Sequence, residues 1–514
     1  MQAGFKALAE RYGIALAQPL RVESVIGTTR VSRESNGQVE NKYPASYEPA
    51  DDFAGHVEFG LKYEEIHLEF FARLFAATGA EPIAAWCRQA PFGQYARRTG
   101  FLYEWLTGQR LDVPDVTNGG YVDAVSSQQY LTRVEPVRVR RWRINDNLPG
   151  VPAFCPLVRR TEAVQQALQF DLDAALRELN QTFGADILMR TASWLTFKES
   201  RASFLIEKEA DKADRIQRFA HVIAKYCGHI DDPLSNDSLQ TLQAGILGHE
   251  AVGLGLRRSP VFVGQATMRE DIVHYIAPSF EELPHLLDGL KAFEMATRGA
   301  EPLARAATLA FAFVYIHPMR DGNGRIHRFL INDTLIRDKA VPDGVILPVS
   351  ATITSSIDFR ARYDRTLEVF SRPFMQRYAA SYRFGELVTY EDGTPSNLVF
   401  DDYADAQLAW RYPDLTEHVL YTAQVVAHTV RTEMADEARV LVVFQRAQER
   451  LKEVLEMPDQ DANRIIRSLK ENGWQISGKL RKTYPQLDDA QRAERVVDAV
   501  RSAFEEREMG NSDK

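Results

Sequence analysis

A histidine, a carboxylate, a run of small residues and two arginines stand together in residues 317–328: His317, Pro318, Met319, Arg320, Asp321, Gly322, Asn323, Gly324, Arg325, Ile326, His327, Arg328. Each type suits one part of handling a bound phosphate chain. An imidazole titrating near neutrality can take a proton from an attacking group. A carboxylate can hold a hard divalent cation. Gly322, Asn323 and Gly324 tolerate backbone angles that let successive N–H groups converge on an anion. Arg325 and Arg328, at i and i+3, put two guanidinium groups on one face of a helix. A zinc reading that pairs His317 with His327 lacks a further His or Cys pair at ligand spacing.

The elements that must hold these groups are legible on either side. Residues 302–316 place Leu303, Ala306, Ala307, Phe311 and Val314 at helical spacing, so His317 is predicted at the end of a buried helix. Pro318 stops it, having no amide donor. A second helix is predicted to open at Arg325, with Ile326, Phe329 and Leu330 as its buried stripe. Its N-terminus would turn free amides and the positive end of its dipole toward the same anion.

The segment resembles the signature of the Fic family, His-Pro-Phe-x-Asp/Glu-Gly-Asn-Gly-Arg-x-x-Arg, with Met319 where phenylalanine is usual. Flanking segments extend the resemblance over about residues 200–373. It implies a mainly α fold, a Fic-type helical core with a short β-hairpin flap, and the activity of a protein adenylyltransferase that moves AMP from ATP to a Ser, Thr or Tyr hydroxyl of a protein. His317 would be the base, Asp321 the Mg²⁺ ligand, and Asn323 with the Gly322 and Gly324 amides the seat of the α-phosphate. Arg325 and Arg328 would hold the β and γ groups. Residues 199–209, Glu-Ser-Arg-Ala-Ser-Phe-Leu-Ile-Glu-Lys-Glu, resemble the family's inhibitory helix in the subclass that carries it ahead of the core. There Ser203 and Glu207 lie on one face, Glu207 would pair with Arg328, and Lys208 stands where Gly or Asn is usual. The β-prone runs 261–263 and 272–276 resemble the flap that takes the target as an added strand, with Val263 and Gly264 nearest the substrate.

Length and composition set the frame. The chain has 514 residues, enough for several domains. Its 62 basic and 71 acidic residues leave a net charge of −9, which argues against a nucleic-acid partner overall. Three widely spaced cysteines argue against a disulfide framework, and no apolar run approaches a membrane span. A cytoplasmic protein is the expectation, with no membrane partner. ATP, a target protein and the chain itself are its expected partners, and a homodimer is left open.

Three regions are expected: a mostly helical N-terminal region at 1–195, the Fic core with inhibitory helix and flap at 196–382, and a helical C-terminal region at 383–514. In the first, 68–77 and 93–106 carry helical periodicity, the second with a core aromatic stripe, and the polar stretch 32–52 is predicted as a surface loop. In the third, 415–456 is helical in pattern. Residues 462–479 resemble a helix-turn-helix or winged unit whose lysines and arginines are the one place nucleic acid could touch. That leaves a rival to the enzyme: a nucleotide-sensing regulatory protein that binds DNA or a protein through its C-terminal helices.

Overall fold

Helix Pro302–Ile316 and helix Asn323–Arg337 pack against each other along their length and carry the motif where they meet. The first opens with proline at its first turn, where a missing amide costs nothing, and its alanines let neighbours approach on every side. Buried charges tie both helices to Leu283–Ala296. Arg305, fully buried, pairs with Glu294 and Asp338, and Arg337 pairs with Glu294 and Asp333. Such a network is costly to desolvate and costlier to break, so it specifies how the helices are placed. This computed structural model describes residues 1–35, 37–209, 211–251, 253–266 and 271–510.

The chain divides into two packed units. One comprises Met1–Asp171, Phe197–Asp343 and Val349–Ala427. Its N-terminal helices include Leu68–Thr78 and Gln94–Thr107, which bury Phe70, Phe71, Phe75, Phe101 and Tyr103. A four-stranded sheet lies beside them, in the order Gln2–Ala3, Val22–Gly27, Gln38–Pro44, Val31–Ser35. This corrects the surface loop expected over 32–52. Most of that stretch is strand, because Gln38–Pro44 pairs parallel with Val22–Gly27 on one edge and antiparallel with Val31–Ser35 on the other. Alternation there is faint since only Tyr43 is buried, against Phe59. The expected hairpin forms from Phe262–Ala266 and Asp271–Ile276, while its connecting loop, 267–270, lies outside the described residues. A second hairpin that the sequence did not announce, Tyr382–Thr389 with Pro395–Phe400, turns at the 391–395 loop.

The other unit comprises Leu172–Thr196, Gly344–Pro348 and His428–Lys514. Here Asp459–Glu471 and Gly478–Thr483 flank a turn in which Gly473 takes a positive φ, and Ile465, Ile466 and Leu469 are fully buried. The mainly helical character expected of the chain holds through both units. Among the described residues no helix is long and apolar enough to cross a membrane.

His327 does not join His317. It packs on Phe311, as does His418 from Thr416–His428, each with ring centroids 4.7 Å apart. Burial pushes His327 down to about 4 and His418 to about 3. A folded-state value below the ordinary 6.5 means that the unfolded chain binds the proton first, so this contribution to stability is present above pH 6.5 and is lost as pH falls toward 4. Glu64 and Glu199, pushed up to about 7 by burial, act with the opposite sign, so a difference is the clean measurement. The gap in urea stability between the wild type and His327→Gln is expected to shrink between pH 6.5 and 4; a constant gap would refute a neutral buried imidazole.

Candidate active site

The motif loop is held rather than left to fluctuate. His317 ends its helix in the left-handed region, φ 50° and ψ 55°, with its N–H on the Phe313 carbonyl. A non-glycine residue pays on the order of 1–2 kcal/mol there, and the proline that follows disfavours helical backbone angles as well. Arg257 holds the conformation from outside: its Nε donates to the His317 carbonyl at 2.8 Å and its own N–H to the Pro318 carbonyl at 2.9 Å. Met319, fully buried, exchanges two bonds with the Asn323 side chain. Asn323 therefore shapes the loop, and one N–H of its amide is left for a ligand. Gln243, also fully buried, bridges the Asp321 carbonyl and the Gly255 amide.

His317 Nδ1 donates to the Val314 carbonyl at 3.2 Å, leaving Nε2 as the lone-pair nitrogen with no protein partner among the described residues. The sequence reading expected titration near neutrality. Burial, assisted by the Arg257 charge, pushes the imidazole down to about 4, so it is neutral and able to accept a proton across the physiological range.

Gly322, at φ 95°, caps the second helix, which opens at Asn323, two residues earlier than expected, because only a glycine turns the chain this sharply. The Arg325 and Ile326 amides bond the Gly322 carbonyl, whereas those of Asn323 and Gly324 have no partner among the described residues. Arg325 and Arg328 rise beside them, 4% and 0% exposed. Arg325 Nε and Arg328 Nη1 are buried donors without an acceptor. Two free amides, two orphaned guanidinium donors and a helix N-terminus make a cradle for an oligophosphate. Asp321 sits at its rim with a half-exposed carboxylate, bonded to the Gly322 amide and to Arg325. A half-exposed carboxylate beside a phosphate cradle fits Mg²⁺, which favours one or two carboxylates plus phosphate and water oxygens. Among the described residues no group of three His, Cys, Asp or Glu gathers to hold a metal.

An anion already fills the hollow. Helix Ile187–Ile206 ends so that Glu207 Oε1 lies 2.6 Å from Arg328 Nη2, and a Cβ on Gly324 would stand 2.1 Å from that oxygen. Burial raises the Glu207 pKa, but Arg328, then Arg325 and Arg360, outweigh it and hold the carboxyl below its ordinary range. Ser203 takes Arg328 Nε on its hydroxyl at 2.8 Å and Nη2 on its carbonyl at 3.3 Å. Phe204 lies under Arg325, 4.9 Å from ring centroid to guanidinium. The helix is pinned by Glu199, which accepts from both the Ser350 amide and hydroxyl, and by Arg360 on the Ile206 carbonyl. Lys208 takes φ 60° to make the closing turn, with Lys208 N–H on Leu205 and Glu209 N–H on Phe204.

Sequence reasoning passed over Glu209. Its Oε2 lies 2.5 Å from Arg325 Nη1, and Lys212 and Arg215 share its other oxygen, so each phosphate-facing arginine meets its own carboxylate. The signal was present two residues after Glu207. Arg257 and Gln243 had none, since their partners are main-chain groups, most of them distant in sequence. Val263 and Gly264 are exposed on the hairpin. A side chain at 264 would collide with the Ile272 carbonyl, so the position demands glycine. The hairpin's return strand is anchored by Tyr275, whose hydroxyl donates to the Tyr315 carbonyl at 2.7 Å, two residues before His317.

An imidazole with an open nitrogen, a cluster of amide and guanidinium donors, and a carboxylate from a preceding helix thus meet where the two helices join. Residues 233–335 match the Fic/DOC family. It is 32% identical over 165 residues to the protein adenylyltransferase fic-1 of Caenorhabditis briggsae, covering 30% of this chain and 29% of that protein. To the protein of the same name from Caenorhabditis elegans it is 31% identical over 167 residues, covering 31% and 29%. The chain thus spans under a third of the length of these curated relatives. A crystal structure of a Fic family protein from Desulfovibrio desulfuricans G20 aligns at 18% identity and a TM-score of 0.36, over 56% of this chain and 79% of that one.

Replacing Lys208 by glycine removes the left-handed penalty at the closing turn. Lys208→Gly is expected to stabilise the protein by about 0.5–1 kcal/mol in urea unfolding, the penalty being partly offset by the extra freedom of glycine in the unfolded chain. A loss of stability would show that the lysine side chain itself holds the turn.

Proposed function

We propose that the chain is a protein adenylyltransferase that transfers AMP from Mg·ATP to a Ser, Thr or Tyr hydroxyl of a protein, itself included, and that the form described here is autoinhibited. The observation that carries this reading is the Glu207 carboxylate lodged against Gly324 and Arg328, an internal anion in a hollow built for phosphate, beside an imidazole with a free Nε2. The names of the worm relatives support the same activity.

In this reading the triphosphate lies along the N-terminus of Asn323–Arg337. The Asn323 and Gly324 amides receive the α-phosphate oxygens, and Arg325 and Arg328 hold the β and γ groups. Mg²⁺ held at Asp321 would supply charge neutralisation between the phosphates. His317 Nε2 takes the proton of the target hydroxyl; the hydroxyl oxygen bonds to the α-phosphorus, and the bond to the β-phosphate oxygen breaks as pyrophosphate leaves. Such a site works by placement and charge, so each part matters severely. The hairpin at Val263 and Gly264 would hold the target as an added strand.

Inhibition follows from competition for the same donors. While Glu207 holds Arg328 and Glu209 holds Arg325, neither arginine can grip a terminal phosphate, and the negative carboxylates repel it. Two measurements test the reading. His317→Ala is expected to abolish incorporation of α-labelled AMP, a loss of at least about 100-fold, while ATP affinity stays within a few-fold; undiminished labelling would remove the base. Glu207→Gly is expected to raise self-modification by on the order of 10-fold or more, and Glu209→Gln to add to it. If mass spectrometry after incubation with Mg·ATP shows no change in either variant, the helix end has only a structural role.

A further inference from the structure

Arg257 is 2% exposed and has no carboxylate partner among the described residues. Burial holds its pKa down at about 10, with Tyr403, Tyr275 and Asp392 acting against that. A guanidinium taken out of water without a counter-ion costs several kcal/mol, and an apolar side chain would fill the same space more cheaply. What the arginine supplies instead is a rigid fork of donors, and these go to three separate pieces of main chain. Nε reaches the His317 carbonyl at 2.8 Å, Nη1 the Ser259 carbonyl at 3.0 Å and Nη2 the Pro278 carbonyl at 2.6 Å. Ser259 lies just before the first strand of the Phe262–Ile276 hairpin and Pro278 just after the second. The Arg257 N–H adds the bond to Pro318.

We propose that Arg257 is a positioning residue: it locks the backbone of the base and both roots of the flap hairpin into one frame, so that a hydroxyl presented along the hairpin arrives at His317 Nε2. The inference rests on the adenylyltransferase reading for its functional consequence, but its geometry stands without it. His317 occupies a backbone conformation that its neighbours must impose, and Arg257 is the side chain that binds its carbonyl. The hairpin has its own second tether at Tyr275, which leads to Tyr315 on the same helix. Both ends of the flap are thus referenced to the last turn before the base, whereas the phosphate cradle is built from the helix on the far side of the loop. Loss of Arg257 should therefore misalign acceptor and base while sparing the nucleotide. Misplacement by about 1 Å is enough to slow a positioned reaction on the order of 100-fold.

The test uses the full-length chain in a Glu207→Gly background, with Arg257→Gln and Arg257→Lys. Titration with a fluorescent ATP analogue gives affinity, and single-turnover labelling at saturating Mg·ATP gives the rate of self-modification. For Arg257→Gln the saturated rate is expected to fall on the order of 100-fold with ATP affinity changed less than about 2-fold, and Arg257→Lys is expected to recover part of the rate. A rate within about 3-fold of the parent, or rate and affinity falling together, would overturn the proposal. Amide exchange in Arg257→Lys decides the geometry if the glutamine variant does not fold. Faster exchange confined to residues 257–264, 272–278 and 317–319 supports the frame, and exchange raised equally through 302–316 and 323–337 overturns it. Should the Glu207→Gly parent incorporate no AMP, the adenylyltransferase reading fails by itself, and the exchange result still decides whether Arg257 holds flap and base together.

Discussion

Two guanidinium groups buried at the opening of one helix cannot be left without anions, and much of the site follows from that constraint. Arg325 and Arg328 lie next to unpaired amides and the positive end of the Asn323–Arg337 dipole, so positive charge accumulates on every wall of the hollow. Two states satisfy it: a carboxylate supplied by the chain, or a phosphate supplied by a ligand. Glu207 and Glu209 provide the first, and the helix ahead of them, pinned by Glu199 and Arg360, delivers them. The chain thus supplies from within itself the negative charge that its two buried arginines require.

The base is organised by a different set of bonds. Its helix is placed by Arg305 and Glu294, its backbone turn is imposed by Pro318 and Arg257, and its tautomer is set by the Val314 carbonyl. None of these groups touches the cradle. The hydrogen bonds that hold the imidazole are therefore distinct from those that hold the cradle, and the Glu207 carboxylate reaches His317 only through its charge, which opposes the lowering of the imidazole pKa.

In the N-terminal part, Phe70, Phe71 and Phe75 pack into a buried core, and the small sheet is built on Gln38–Pro44. In the second unit Ile465, Ile466 and Leu469 are spent on its core.

The sequence by itself determined the covalently local parts. The order of His317, Asp321, the glycine turn and the two arginines lies within twelve residues, and helical spacing alone puts the arginines on one face and Ser203 in line with Glu207. Helix Pro302–Ile316 was legible because its proline start and proline stop are single-residue signals. What only the tertiary structure decided depends on groups that carry no side-chain identity or on partners far away in the chain. The contact of Glu207 with Gly324 joins segments more than a hundred residues apart, and Arg257 works through the carbonyls of His317, Ser259 and Pro278, which any sequence would possess. The strands within 32–52 escaped for the same reason, since strands with little burial leave no alternation to read, and their ladder bonds are made by backbone alone. Burial, too, moved the His317 pKa from the neutral range expected of an imidazole to about 4, because desolvation depends on what surrounds a group and not on its neighbours in sequence.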